Sequence, residues 1–195
     1  MIDIREEPIA NLPTYATLSI AFEVDRVFDV IEREGNPCGV ELIERKLDAA
    51  WTKDYDAVAG NDPTRWLTMF DLTNWGMLLA REDGRLVGGA VIAYRTQGVH
   101  VLRGRSDLAV LWDIRVAHAE RGKGIGKALF AAVEEWARTI GCLDLEIETQ
   151  NINVGACKFY RRQRCELVSV NRGAYPDFPD EVQLVWGKRV EFILP

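Results

Sequence analysis

The stretch that most constrains this chain is a strand, a glycine turn and an amphipathic helix in direct succession. Leu111-Trp112-Asp113-Ile114-Arg115-Val116 ends an apolar run that starts at Leu108. A short link then leads to Arg121-Gly122-Lys123-Gly124-Ile125-Gly126-Lys127. From Gly124 to Ile140, the residues Ile125, Leu129, Ala132, Val133, Trp136 and Ile140 recur every three or four positions as one helical stripe. Gly141 follows as a left-handed helix stop. A helix N-terminus carries about half a positive charge and several unpaired N–H groups, and glycines let backbone approach an anion closely. Between Arg115 and Lys127 four cations (Arg115, Arg121, Lys123, Lys127) meet one acid, Glu120, although the whole chain carries a formal charge of -6. The turn therefore points to a site for one small anion. Its bland alternative is a tight turn with solvated lysines.

With 195 residues, 48% of them hydrophobic, the chain is expected to form one compact domain. Its acidity discourages a nucleic-acid partner. No apolar run approaches the ~20 residues of a membrane helix, and the acidic start, Met1 to Pro8, lacks a signal core, so a cytoplasmic protein is expected. Cys38, Cys142, Cys157 and Cys165 show no CxxC spacing and have only His100 and His118 beside them; buried reduced thiols and no metal are expected. Phe22 to Ile31 and Val40 to Trp51 have helix-like apolar spacing, which makes residues 1–73 a helical N-terminal part. Met77 to Ala80 and Leu86 to Tyr94 form a hairpin across Asp83-Gly84. Leu143 to Thr149 alternates as a strand, Val154 to Arg162 is a shorter helix, and strands lie near Leu167–Val170 and Val182–Arg189. The class is α+β, a mixed and mostly antiparallel central sheet flanked by helices, with residues 74–190 as its core.

Three phosphate-binding devices can be compared at register. A Walker A loop needs Gly at 121 and Ser or Thr at 128, where Arg121 and Ala128 stand. A dinucleotide fingerprint needs glycine at 127, which is Lys127. Arg121-x-x-Gly124-x-Gly126 resembles the pyrophosphate loop of the GCN5-related N-acetyltransferases (GNAT family). Asn153-Val154-Gly155-Ala156-Cys157-Lys158-Phe159-Tyr160 resembles that family's second segment in order and distance. Leu145 to Asn153, Trp112 to Val116, Tyr175-Pro176-Asp177-Phe178 and Val185-Trp186 are most similar to its streptothricin acetyltransferase branch. The resemblance covers about Asn74 to Arg189. One departure is Arg164-Cys165, where the family has Gly-Phe.

The resemblance implies an acetyl-CoA-dependent N-acetyltransferase. Arg121, Gly122, Lys123, Gly124, Ile125, Gly126 and Lys127 would hold the coenzyme A pyrophosphate. Backbone at Ile114, Arg115 and Val116 would run beside the pantetheine and polarise the thioester carbonyl. Asn153 would bind pantetheine, cap the helix, or do both. Tyr160 is the family's usual donor to the departing sulfur, or else a packed aromatic. A thiol near ~8.5 is a stronger acid than tyrosine near ~10, so a hydrogen bond to the thiolate is favoured over full proton transfer. Asp113 and Glu148 are candidate bases for the amine, and acids on a solvated strand face are the alternative. Glu146, Tyr175 and Phe178 are candidate substrate contacts, with loop packing as the alternative for the last two. The expected acceptor is a primary amine of a small cationic molecule, such as a streptothricin-type antibiotic. Another small amine, a protein amine, or an acyl-CoA sensor without turnover remain open. Dimers are common in the family, so a homodimer is compatible. Ser106 lacks a nucleophile elbow and Cys157 a neighbouring histidine.

Overall fold

A computed structural model describes residues 1–191; residues 192–195, over which the single-domain expectation also runs, lie outside the described part. In chain order the elements are β1 (Ile2–Glu6), α1 (Leu12–Tyr15), β2 (Phe22–Glu32), β3 (Val40–Lys53), α2 (Trp66–Met69), β4 (Gly76–Glu82), β5 (Arg85–Ala93), β6 (Leu108–Val116), α3 (Ile125–Thr139), β7 (Asp144–Gln150), α4 (Val154–Arg162), β8 (Glu166–Asn171) and β9 (Gln183–Arg189). They gather into two compact units. One comprises Met1–Ile20, Asp54–Leu145 and the chain from Arg189; the other comprises Ala21–Lys53 and Glu146–Lys188. The class is mixed α+β. Among the described residues no helix is long and apolar enough to cross a membrane.

In the first unit the strand order is β1-β4-β5-β6, and each neighbouring pair is antiparallel. The β4–β5 turn is the expected two-residue one. Asp83 and Gly84 both have positive φ (50° and 80°), the geometry whose twist suits a hairpin. Helix α3 buries Ile125, Leu129, Phe130, Val133 and Ala137 and packs on β4, β5 and β6. Gly88 permits the close approach of α3, and Gly89 that of Tyr15 in α1. A Cβ at Gly88 would lie 3.0 Å from the Leu129 side chain, and one at Gly89 would lie 2.8 Å from the Tyr15 ring. Strand β1 was not expected, although Ile2 and Ile4 alternate with Asp3 and Arg5 as a half-buried strand does.

In the second unit β7, β9 and β8 lie in that order, and β2 pairs with β3 as a separate antiparallel ribbon. This ribbon corrects the expected N-terminal helices. Val24, Val27 and Phe28 have helical spacing, but a register shift between Val24 and Arg26 breaks the alternation and returns Val27 to the buried side. Val24, Val27 and Ile152 form a small core, against which Phe22 and Leu47 pack. Most of β3 is exposed, so its apolar residues lack the strict alternation of a half-buried strand. Cys38 is likewise corrected from buried to exposed, while Cys142, Cys157 and Cys165 are buried.

Both long helices end in the same motif. After α3, the N–H groups of Gly141 and Cys142 donate to the carbonyls of Arg138 and Ala137; after α4, those of Arg164 and Cys165 donate to Arg161 and Tyr160. The left-handed residue is Gly141 (φ 82°) in the first and Arg164 (φ 65°) in the second. The departure from the family's glycine therefore keeps the bend and strains the backbone. Arg164→Gly is expected to stabilise the protein by about 0.5–1 kcal/mol. A thermal midpoint that fails to rise would show that the arginine side chain compensates for the strain.

Candidate active site

The glycine turn opens α3 as expected. Gly122 and Gly124 have φ of 80° and 89°, and Gly124 occupies the cap position with no side chain closing the helix end. The first helical bond runs from Ala128 N–H to the Gly124 carbonyl, so the N–H groups of Ile125, Gly126 and Lys127 precede the helical ladder. A single anion can gather such donors. Around the turn, Glu120 is buried and accepts from Arg85 (2.9 Å) and Lys123 (2.7 Å). Lys123, then Arg85, holds its carboxyl below the ordinary value. Arg121 Nε donates to the Val116 carbonyl at 3.1 Å, fixing the approach to the turn. Lys127 is exposed. Arg85 was missed in the sequence because it reaches the turn from the β4–β5 hairpin.

Strand β6 carries a bulge. Leu111 pairs with Ile92 and Asp113 with Val91, which leaves Trp112 as the extra residue. Its indole meets Phe70 at 5.3 Å, Trp75 at 5.6 Å and Trp66 at 6.0 Å. Beyond it, Ile114 and Val116 pair with Ala90 and Gly88. Backbone N–H groups at a bulge leave the regular ladder and become available to a ligand.

The side chains of Asp113 and Arg115 lie together in a buried ion cluster. The Arg115 guanidinium, 1% exposed, donates to Asp113 Oδ2 (2.8 Å), the Leu18 carbonyl (2.8 Å) and both Asp56 oxygens (2.6 and 2.9 Å). The Tyr15 ring covers it, 5.3 Å from Cζ. Burial opposes the arginine's charge, but Asp113, Tyr15 and Asp56 leave its pKa above the ordinary value. Burial raises the Asp113 carboxyl, and Arg115 works against that rise. A raised carboxyl would suit a base, yet this one is enclosed and already bound to a cation. Asp113 is the counter-ion of Arg115, and the Arg115 side chain is committed to the protein interior. Only its backbone remains for a cofactor.

In the second unit β7 places Glu146, Glu148 and Gln150 on one face by strict alternation. Glu146 is 7% exposed and packs toward Gly187 of β9. Glu148 is half-buried, and Tyr175 Oη donates to its Oε1 (2.6 Å) while Gln183 Nε2 donates to its Oε2 (2.7 Å). Gln150 Nε2 donates to the Tyr175 oxygen at 3.1 Å. Burial and then Glu148 push the Tyr175 phenol above its ordinary pKa. Among the described residues Glu148 has no cationic partner: two neutral donors orient a carboxylate whose charge is uncompensated. The Phe178 ring receives the Lys53 ammonium at 3.5 Å from its centroid.

Helix α4 buries Val154, Cys157 and Tyr160 on one face. Tyr160 packs edge-on against Phe159 at 5.3 Å. The Asn153 side chain caps the helix, its Oδ1 accepting from Ala156 N–H at 3.1 Å. Burial pushes the Cys157 thiol up to about 12, which keeps it protonated and unreactive.

The sequence profile described as the acetyltransferase (GNAT) family matches residues 41–164. Streptothricin acetyltransferase A of Bacillus subtilis (strain 168) is 38% identical over 80 residues, covering 40% of this chain and 46% of that protein, about half its length. Streptothricin acetyltransferase of Streptomyces lavendulae is 28% identical over 169 residues, covering 87% of this chain and 80% of that protein. The crystal structure of nourseothricin acetyltransferase superposes with a TM-score of 0.75 at 25% identity, covering 97% of this chain and 99% of the other.

Proposed function

The chain belongs to the acetyltransferase (GNAT) family, and from that premise we propose that it acetylates a primary amine of a small cationic molecule, using acetyl-CoA. A streptothricin-type antibiotic is the leading acceptor, in keeping with the names of its relatives. The observation that carries the acceptor reading is Glu148, a half-buried carboxylate held by neutral donors and, among the described residues, lacking a counter-ion. An ammonium group supplies the missing charge.

The thioester of acetyl-CoA provides the activated acetyl group. Donors of the Gly122–Lys127 turn hold the pyrophosphate, with Lys123 and Lys127 at its rim. Backbone of β6 from Trp112 to Val116 runs beside the pantetheine, and an N–H there stabilises the developing oxyanion. Asn153 contributes its amide N–H groups. A lysine-like amine at pH 7 must lose a proton at a cost of about 4–5 kcal/mol. Glu148 accepts that proton, directly or through water. Tyr160 donates a hydrogen bond to the departing thiolate. A cytoplasmic location suits the use of acetyl-CoA as donor.

The test is release of free thiol from acetyl-CoA in the presence of streptothricin and a panel of other amines. Turnover with streptothricin and little with the rest is expected. Equal turnover with peptides bearing lysine or a free N-terminus would move the acceptor to protein amines. Binding of acetyl-CoA with no thiol release from any amine would instead make the protein a sensor.

A further inference from the structure

A buried ion pair lies beneath the segment joining β8 to β9. Lys53, the last residue of β3, places its ammonium 2.5 Å from Glu181 Oε1, with side-chain exposures of 8% and 7%. The same ammonium stands over the Phe178 ring at 3.5 Å from the centroid. Such a pair contributes little net stability, because desolvation offsets its attraction, yet removing one partner is costly. Its geometry offers a more specific role.

Two backbone bonds connect Phe178 and Glu181 to Tyr175. Glu181 N–H donates to the Phe178 carbonyl at 2.9 Å, and Phe178 N–H donates to the Tyr175 carbonyl at 3.0 Å. Lys53 therefore touches both ends of one turn, and the preceding turn carries the phenol that orients Glu148. Past Glu181 the chain is fastened again, with Val182 N–H donating to Asn151 Oδ1 (2.8 Å) and Asn151 N–H to the Val182 carbonyl (3.0 Å). Asn151 Nδ2 in turn donates to the Phe28 carbonyl of β2 at 3.0 Å. The segment is thus tied to β7, to the end of β3 and to the residue after β7.

We propose that Lys53 is a positioning residue for acceptor recognition, setting the turns that hold Tyr175 on Glu148. This rests on the reading of Glu148 as the carboxylate that faces the amine.

The informative variants are Lys53→Met and Lys53→Met/Glu181→Met. The single change leaves the Glu181 charge buried and is expected to weaken folding. The double change removes both charges and keeps similar volume, so its thermal midpoint should stay near wild type. Both variants should raise KM for the amine about tenfold with a smaller change in kcat, and leave acetyl-CoA affinity unaltered. Trypsin cleavage after Arg172 should accelerate several-fold in each. A double variant with wild-type midpoint, KM and cleavage rate overturns the proposal. If the wild-type protein acetylates no amine, the acceptor role falls with that reading, while the cleavage rate still decides whether Lys53 fixes the segment.

Discussion

Replacing Arg115 with methionine is expected to cost the protein about 3–5 kcal/mol of folding free energy, the usual penalty for removing one member of a buried ion cluster. The guanidinium bridges Asp113 and Asp56 and also satisfies the Leu18 carbonyl. Methionine fills much of the volume but leaves two carboxylates near one another in an enclosed site. The loss should depend on pH with a defined sign. Burial already raises Asp113, and without Arg115 only Tyr15 opposes that rise while Asp56 adds to it. A carboxyl whose folded pKa lies above its unfolded value contributes stability at low pH that disappears as pH rises through the folded pKa. Urea midpoints of the variant should therefore fall further below wild type at pH 8 than at pH 5. A loss under about 1 kcal/mol, the range of a solvated surface pair, would mean that water reaches the cluster.

Glu148→Gln is expected to lower kcat/KM for the amine by 10²–10⁴-fold, the usual contribution of a positioned general base. Glutamine keeps the shape and still accepts from Tyr175, so the fold and the affinity for acetyl-CoA should stay as they are. What disappears is the negative charge that attracts an ammonium and takes its proton. Residual activity should climb with pH toward the acceptor's own pKa, since the amine must then deprotonate unaided. Steady-state rates at several pH values check this. A variant within threefold of wild type at pH 7 would remove Glu148 from the reaction.

Local signals made much of the fold legible. The β4–β5 turn needed Asp83-Gly84, α3 needed a stripe of apolar residues, and β7 needed simple alternation; each is written within a few neighbouring residues. The β2–β3 ribbon was not legible, because an interruption near Asp25 gave Val24, Val27 and Phe28 the spacing of a helix. The glycine turn that opens α3 could be read from its glycines alone. Asp113 could not be judged, since the residues that enclose it, Tyr15 and Asp56, come from distant positions and only the structure assembles them. Glu148 was identifiable as an acid on a strand. Its lack of a counter-ion and its support by Gln183 and Tyr175 are tertiary facts. Lys53 had no distinguishing signal at all, being one lysine just past Ala49-Ala50-Trp51-Thr52.

Arg115 also bears on how this chain can vary over evolutionary time. It grips the backbone at Leu18 and the side chain of Asp56, just outside the two points where the chain leaves the first unit and comes back. Between those grips the ribbon is held again, by Phe28 at Asn151, by Lys53 at Glu181 and by Cys38 at the Leu167 carbonyl, so only the exposed tip around Glu34 to Asn36 behaves as an open loop. Lengthening such a loop costs only a slowly growing closure entropy, about 0.6 kcal/mol for each doubling. Insertions there are therefore inexpensive, so the ribbon can lengthen while Arg115 keeps its hold on the base.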